Sequence, residues 1–118
     1  LALAGENVPA GTYARAALAG DGWAALAPKV VTGDNVRTTL AWVSRGEAEA
    51  GVVYATDARA EPRVKQAFAF PADRHPPIVY PGAVVAASTH PAEAAAFLAY
   101  CASPDAMARF VAAGFTAR

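Results

Sequence analysis

The chain has 118 residues with ten basic and ten acidic side chains, a length that suits one compact domain and a balance that disfavours polyanion binding by a basic surface. Its hydrophobic share of 55% is high and its charged share of 17% low, but much of the apolar count is alanine, which buries little area per residue. The single cysteine, Cys101, excludes an internal disulfide and reads as a small buried hydrophobe on a helix.

Leu1 to Ala4 suits a short buried strand, and after the polar turn Gly5-Glu6-Asn7, Pro9 fits the first position of a helix expected over 9–19. Gly20 and Gly22 are stops, Trp23 to Leu26 a helical turn, and Lys29 to Thr32 a short strand. Gly33-Asp34-Asn35 offers a turn and an N-cap. Val36, Leu40 and Val43 then recur at helical spacing and predict a helix to Arg45, ended by Gly46. Ala50 to Ala55, a β-branched run containing Tyr54, is expected as a buried parallel strand. Lys65 to Phe70 alternates as a strand does. A turn follows at Pro76 and Pro77, and Ile78 to Ala87 reads as a longer strand that Pro81-Gly82 interrupts, as at an edge, a bend or a crossing between lobes. Two helices close the chain, one over Pro91 to Ala102 and one capped by Ser103 with Pro104 first, running to about Ala113 before Gly114. The order is α/β. No stretch approaches the roughly 20 apolar residues of a membrane span. The apolar start without methionine suggests a fragment or processed product, so the lack of a leader says nothing about export.

No catalytic constellation emerges. Ser44, Ser88 and Ser103 lack a nucleophile elbow, and His75 and His90 have no i,i+4 partner or cysteine to make a metal site; both read as exposed loop residues. Glu47 and Glu49 read as solvated side chains, and no phosphate-cradling glycine motif occurs. The expectation is therefore a protein that is not an enzyme, with no cofactor and no direct metal ligands.

Two helix starts remain, Pro9-Ala10-Gly11 and Asp34-Asn35-Val36, with Tyr54 at a strand end. A helix amino terminus presents unpaired N–H groups and about half a positive charge, which binds a small anion without a cationic side chain. Gly11 would allow close backbone approach and Tyr54 could add a hydroxyl donor. Open parallel sheets bind ligands where strands end and helices begin. Most helix starts in α/β proteins are nonetheless empty, and pattern alone favours that reading.

The segments Val8-Pro9-Ala10-Gly11-Thr12-Tyr13-Ala14, Asn35-Val36-Arg37 with Leu40, Gly46 to Tyr54, Asp57-Ala58, Tyr80-Pro81 and Gly114-Phe115 resemble, in order and spacing, the periplasmic molybdate-binding proteins of ABC importers. The likeness spans essentially the whole chain; it departs at Gly5-Glu6-Asn7, where family members often carry Asp-Pro. It implies a type II periplasmic-binding-protein fold of two three-layer αβα lobes, of which this chain is the carboxy-terminal half. Residues 1–78 would form the second lobe. Residues 79–118 would be a crossing strand and helices belonging to the first lobe, whose amino-terminal part is absent.

The same resemblance implies capture of molybdate or tungstate in the periplasm, with Ala10 and Val36 donating backbone N–H groups, Tyr54 its hydroxyl, and the importer's membrane subunits as partners. Molybdate is a tetrahedral dianion that only accepts hydrogen bonds, so a site of neutral donors fits it. A protonated phosphate would bring an unpaired hydrogen at a cost of about 1–3 kcal/mol. Sulfate passes that test, which leaves a binding protein for another oxyanion open. The effector-sensing domain of a transcriptional regulator is a further alternative, although the chain itself carries no nucleic-acid-binding feature. Val84, Val85, Phe97, Leu98, Phe110 and Val111 would lack packing partners, so self-association through the carboxy-terminal segment is expected.

Overall fold

Successive side chains of a strand point to opposite faces, so three buried in a row mark a strand covered on both sides. In the computed structural model, which describes residues 1–20 and 22–116, this is the case for β1 (Ala2–Ala4), whose three residues are all fully buried. The chain divides into two compact units, Leu1–Pro77 and a second beginning at Ile78.

In the first unit, α1 (Pro9–Leu18) leaves β1 through a short loop and buries Ala10, Gly11, Ala14 and Ala17, the i, i+3, i+4 stripe of a helix lying on a sheet. A short helix α2 (Trp23–Leu26) and a 3₁₀ turn at Ala27–Lys29 lead into β2 (Val31–Gly33). This strand starts two residues later than the composition suggests, because Pro28 sits inside the 3₁₀ turn. It pairs in parallel with β1, Ala2 opposite Val31 and Ala4 opposite Gly33. Next comes α3 (Val36–Ser44), which packs on both strands and ends at Gly46, where φ is +75°. Gly33 and Gly51 let it sit close: a Cβ on Gly51 would lie 2.9 Å from Val43 Cγ2. Thr39, fully buried at this contact, returns its hydroxyl to the Asn35 carbonyl at 3.2 Å.

Ala50 to Val52 lies on the other edge of β1. The Val31 amide donates to the Leu1 carbonyl and the Gly5 amide to the Gly33 carbonyl, whereas the Ala2 amide donates to Ala50 and its carbonyl accepts from Val52. Alternate residues of β1 thus bond to opposite neighbours and β1 is central, with all three segments parallel. The expected strand over 50–55 is reduced to one bridge at Gly51. It ends early because Ala55–Ala60 forms α4, a helix with no buried residue and hence no apolar period to announce it.

Two further expected strands are not formed. Residues 65–70 and 78–87 lie outside any strand, the former followed by a 3₁₀ turn at Ala72–Arg74. Pro81 removes a ladder donor from the second segment, Pro71, Pro76 and Pro77 bound the two, and neither segment has a strand beside it among the described residues. The second unit is built on α5 (Pro91–Cys101) and α6 (Pro104–Ala112), which pack together. Ser103 Oγ caps α6 by accepting from the Ala106 amide at 3.3 Å. A ring cluster links Tyr80 to Phe115 at 5.2 Å and Phe115 to Phe110 at 5.7 Å. Among its described residues only Ala106 is buried. The α/β class holds for the chain, which combines helices with a small parallel sheet.

Candidate functional site

The sheet of the first unit has its carboxyl edge where β1, β2 and the Ala50–Val52 segment each run into a helix. The chain leaves central β1 for β2 on one side and returns past it to Ala50 on the other. That reversal is the point at which open α/β sheets form a crevice. Each of the three residues singled out from the sequence lies at one of these strand-to-helix joins. Ala10 is the second residue of α1, Val36 the first of α3, and Tyr54 the N-cap of α4.

The first four amides of a helix have no intrahelical acceptor. In α1 the first position is Pro9, which has no N–H, and the amides of Gly11 and Thr12 turn back to the Val8 carbonyl at 2.9 and 3.0 Å. In α3 the Asn35 side chain accepts from the Thr38 amide at 3.0 Å and the Asn35 carbonyl from the Thr39 amide at 3.2 Å. No hydrogen bond among the described residues takes up the amides of Ala10 or Val36. Both helices therefore keep an untaken donor in the first turn, at the positive end of the helix dipole.

Tyr54 is half-buried, and its ring meets that of Tyr13 edge to face with centroids 6.5 Å apart. Tyr13 in turn meets the His75 ring at 6.2 Å. His75 is thus not the exposed loop residue expected of it: it is half-buried, with Nδ1 2.8 Å from the Pro76 carbonyl. His90 is exposed at the N-cap of α5. Cys101 is half-buried on α5, and Glu47 lies 3.6 Å from Arg45 at the surface.

Gly11 has a different use from the one anticipated. A Cβ there would meet the Gly5 carbonyl oxygen at 2.0 Å and the Ala4 carbonyl oxygen at 2.4 Å, so the close approach it permits is to its own chain. Arg15, on which sequence reasoning placed no weight, clamps the same join. Its Nη1 donates to the Ala4 carbonyl at 2.8 Å and the Gly11 carbonyl at 3.2 Å, while Nε lies 3.3 Å from Glu6 Oε1. Thr12 Oγ1 adds a bond to the Glu6 carbonyl at 2.9 Å. The only hint of this was the four-residue spacing of Gly11 and Arg15 on one helix face.

No group of three or more His, Cys, Asp or Glu side chains able to hold a metal ion gathers among the described residues. An open groove of about 360 Å³, lined by Val31, Thr32, Trp42 and Glu47, runs along β2 and α3, and none of Ala10, Val36 and Tyr54 lines it.

Residues 1–116 match the family of bacterial extracellular solute-binding proteins. The chain is 44% identical over 112 residues to the molybdate-binding protein ModA of Escherichia coli (strain K12), covering 94% of this chain and 43% of that protein. It is 41% identical over 113 residues to ModA of Haemophilus influenzae, covering 95% of this chain and 44% of that one. A Bacillus subtilis (strain 168) protein named as an ABC transporter substrate-binding lipoprotein, YvgL, is 42% identical over 113 residues, with 95% and 44% covered. The chain spans less than half the length of these curated relatives. With a family match over nearly its whole length, the chain belongs to the bacterial extracellular solute-binding proteins.

Proposed function

We propose that this chain is part of a binding protein that captures molybdate or tungstate outside the cytoplasmic membrane and delivers it to an ABC importer. One observation carries the reading: 44% and 41% identity to two proteins named for molybdate binding, over 94% and 95% of this chain. The backbone amides of Ala10 and Val36 and the Tyr54 hydroxyl donate to the oxyanion, with donors from outside this chain completing its shell. A dianion held by neutral donors at two helix starts gains from both dipoles and meets no acceptor, which suits a ligand that offers no proton. The protein binds and releases; it performs no chemistry on the anion.

In the same reading the first unit is one lobe of a type II binding protein, and the segment from Ile78 belongs with the other lobe. Calorimetric titration of the natural polypeptide that carries this sequence tests the proposal. Molybdate and tungstate should bind far more tightly than phosphate, and sulfate should rank below them because its shorter bonds underfill the cavity. Failure to bind either metal oxyanion, or a preference for sulfate, would overturn it.

A further inference from the structure

A site made of backbone amides is only as good as the scaffold that aims them, and at the join between β1 and α1 Arg15 makes the bonds that tie strand end to helix start. Arg15 is four-fifths buried, with side-chain exposure of 20%. Its guanidinium reaches the last carbonyl of β1 at Ala4, the carbonyl of Gly11 in the first turn of α1, and the carboxylate of Glu6 in the loop between them. The hydrogen-bond alternation along β1 sends the Ala2 carbonyl toward Val52, so the Ala4 carbonyl points to that same edge, where the chain continues to Tyr54. Strand end, helix start and the loop between them thus meet at one planar fork, on the side of β1 that faces the Ala50–Val52 segment.

We propose that Arg15 is a positioning residue for the oxyanion site: it fixes the first turn of α1 on the end of β1 and so sets where the Ala10 amide points. The inference rests on the assignment of Ala10 and Tyr54 as donors. In this role Arg15 acts through the backbone rather than on the anion: its Nη1 is shared between the Ala4 and Gly11 carbonyls and its Nε faces Glu6. A lysine cannot replace it. One ammonium has no planar fork with which to hold two carbonyls and a carboxylate in fixed directions.

Titration of sodium molybdate into the natural polypeptide and into its Arg15→Met, Arg15→Lys and Tyr54→Phe variants decides the matter, with each melting temperature measured and binding read well below it. Arg15→Met should bind about tenfold more weakly, near the lower end of what outer-shell partners contribute at metal sites. Arg15→Lys should fall between Met and the native residue. Amide NMR gives a second readout: the Ala10 cross-peak, shifted by molybdate in the native protein, should move less in Arg15→Met. A loss of melting temperature without loss of affinity would overturn the proposal and leave Arg15 a stabilising residue only. Full rescue by lysine would also overturn it, since charge rather than the fork would then matter. If the unsubstituted protein fails to bind molybdate, the functional reading itself has failed. If it binds but Tyr54→Phe changes nothing while Arg15→Met weakens binding, only the Tyr54 assignment falls.

Discussion

Replacing Tyr54 by phenylalanine removes one donor and keeps the ring that meets Tyr13 edge-on at 6.5 Å, so the variant separates hydrogen bonding from packing. Oxyanion affinity of the natural polypeptide should fall by about 0.5–3 kcal/mol, the range for one hydrogen bond, toward the upper end if the ligand charge strengthens it. Calorimetry on a variant with unchanged circular dichroism is the check, and equal affinity would return Tyr54 to a packing role. A second residue-scale effect concerns pH. Hydrogen bonds from the Arg63 side chain, 2.8 Å to each Glu61 oxygen, and from its amide hold the Glu61 carboxyl at about 2, below its ordinary 4.5. A folded value below the unfolded one favours the fold fully above pH 4.5, and this contribution is lost as pH falls toward 2. An NMR titration should place the Glu61 midpoint near 2 and return it toward its ordinary 4.5 in Arg63→Met. Arg63 is exposed, so the pair's stabilising effect should be small and fade with salt.

Between β1 and α1, contact is tight enough that one methyl group matters. Gly11→Ala would drive a Cβ to within 2.4 Å of two carbonyl oxygens of the backbone, atoms that cannot swing aside as a side chain does. Helix propensity favours alanine over glycine by about 1 kcal/mol, yet overpacking typically costs about 1–3 kcal/mol, and against rigid backbone oxygens the upper end applies, so the clash wins. Urea unfolding should show a net loss of stability, and an unchanged midpoint would mean that α1 can lift off β1. The elements that were legible in the sequence are those with local punctuation. Pro9, Asn35 and Pro104 open helices α1, α3 and α6 where expected, because caps and first-turn prolines act within four residues. Segments 65–70 and 78–87 looked like strands because β-branched and aromatic residues record a fit to extended backbone. A ladder also needs a neighbour, and no neighbour can be read from a single segment. Of the proposed site, the helix starts at Pro9 and Asn35 were legible for the same local reason, whereas Tyr54 was expected at the end of a strand and instead precedes a helix that carried no such signal. The Arg15 clamp and the Tyr13–His75 contact were not legible, since they depend on which chain segments meet.

The two units differ most in how they treat their apolar residues, and this bears on how the chain behaves alone. The first closes a small alanine-rich core around β1, whereas the second leaves Val85 72% and Phe97 64% exposed, with Tyr100, Phe110 and Val111 exposed as well. Two helices and a ring cluster bury too little to account for these side chains, and soluble monomers seldom present such a surface. This 118-residue chain by itself should therefore associate, and it should bind molybdate poorly because the proposed site takes further donors from outside it. Exchange of the carboxy-terminal segment between two copies, hinged at residues 77–82, is one low-cost route. Light scattering across a concentration series should show a mass above that of the monomer. Val85→Glu with Phe97→Glu should reduce it, since both side chains are largely exposed within the chain and the charges cost its fold little. A strictly monomeric chain at high concentration would refute the association. Micromolar or tighter molybdate binding by that chain would refute the shared site, because donors confined to Ala10, Val36 and Tyr54 leave much of a tetrahedral dianion's acceptor surface unmet.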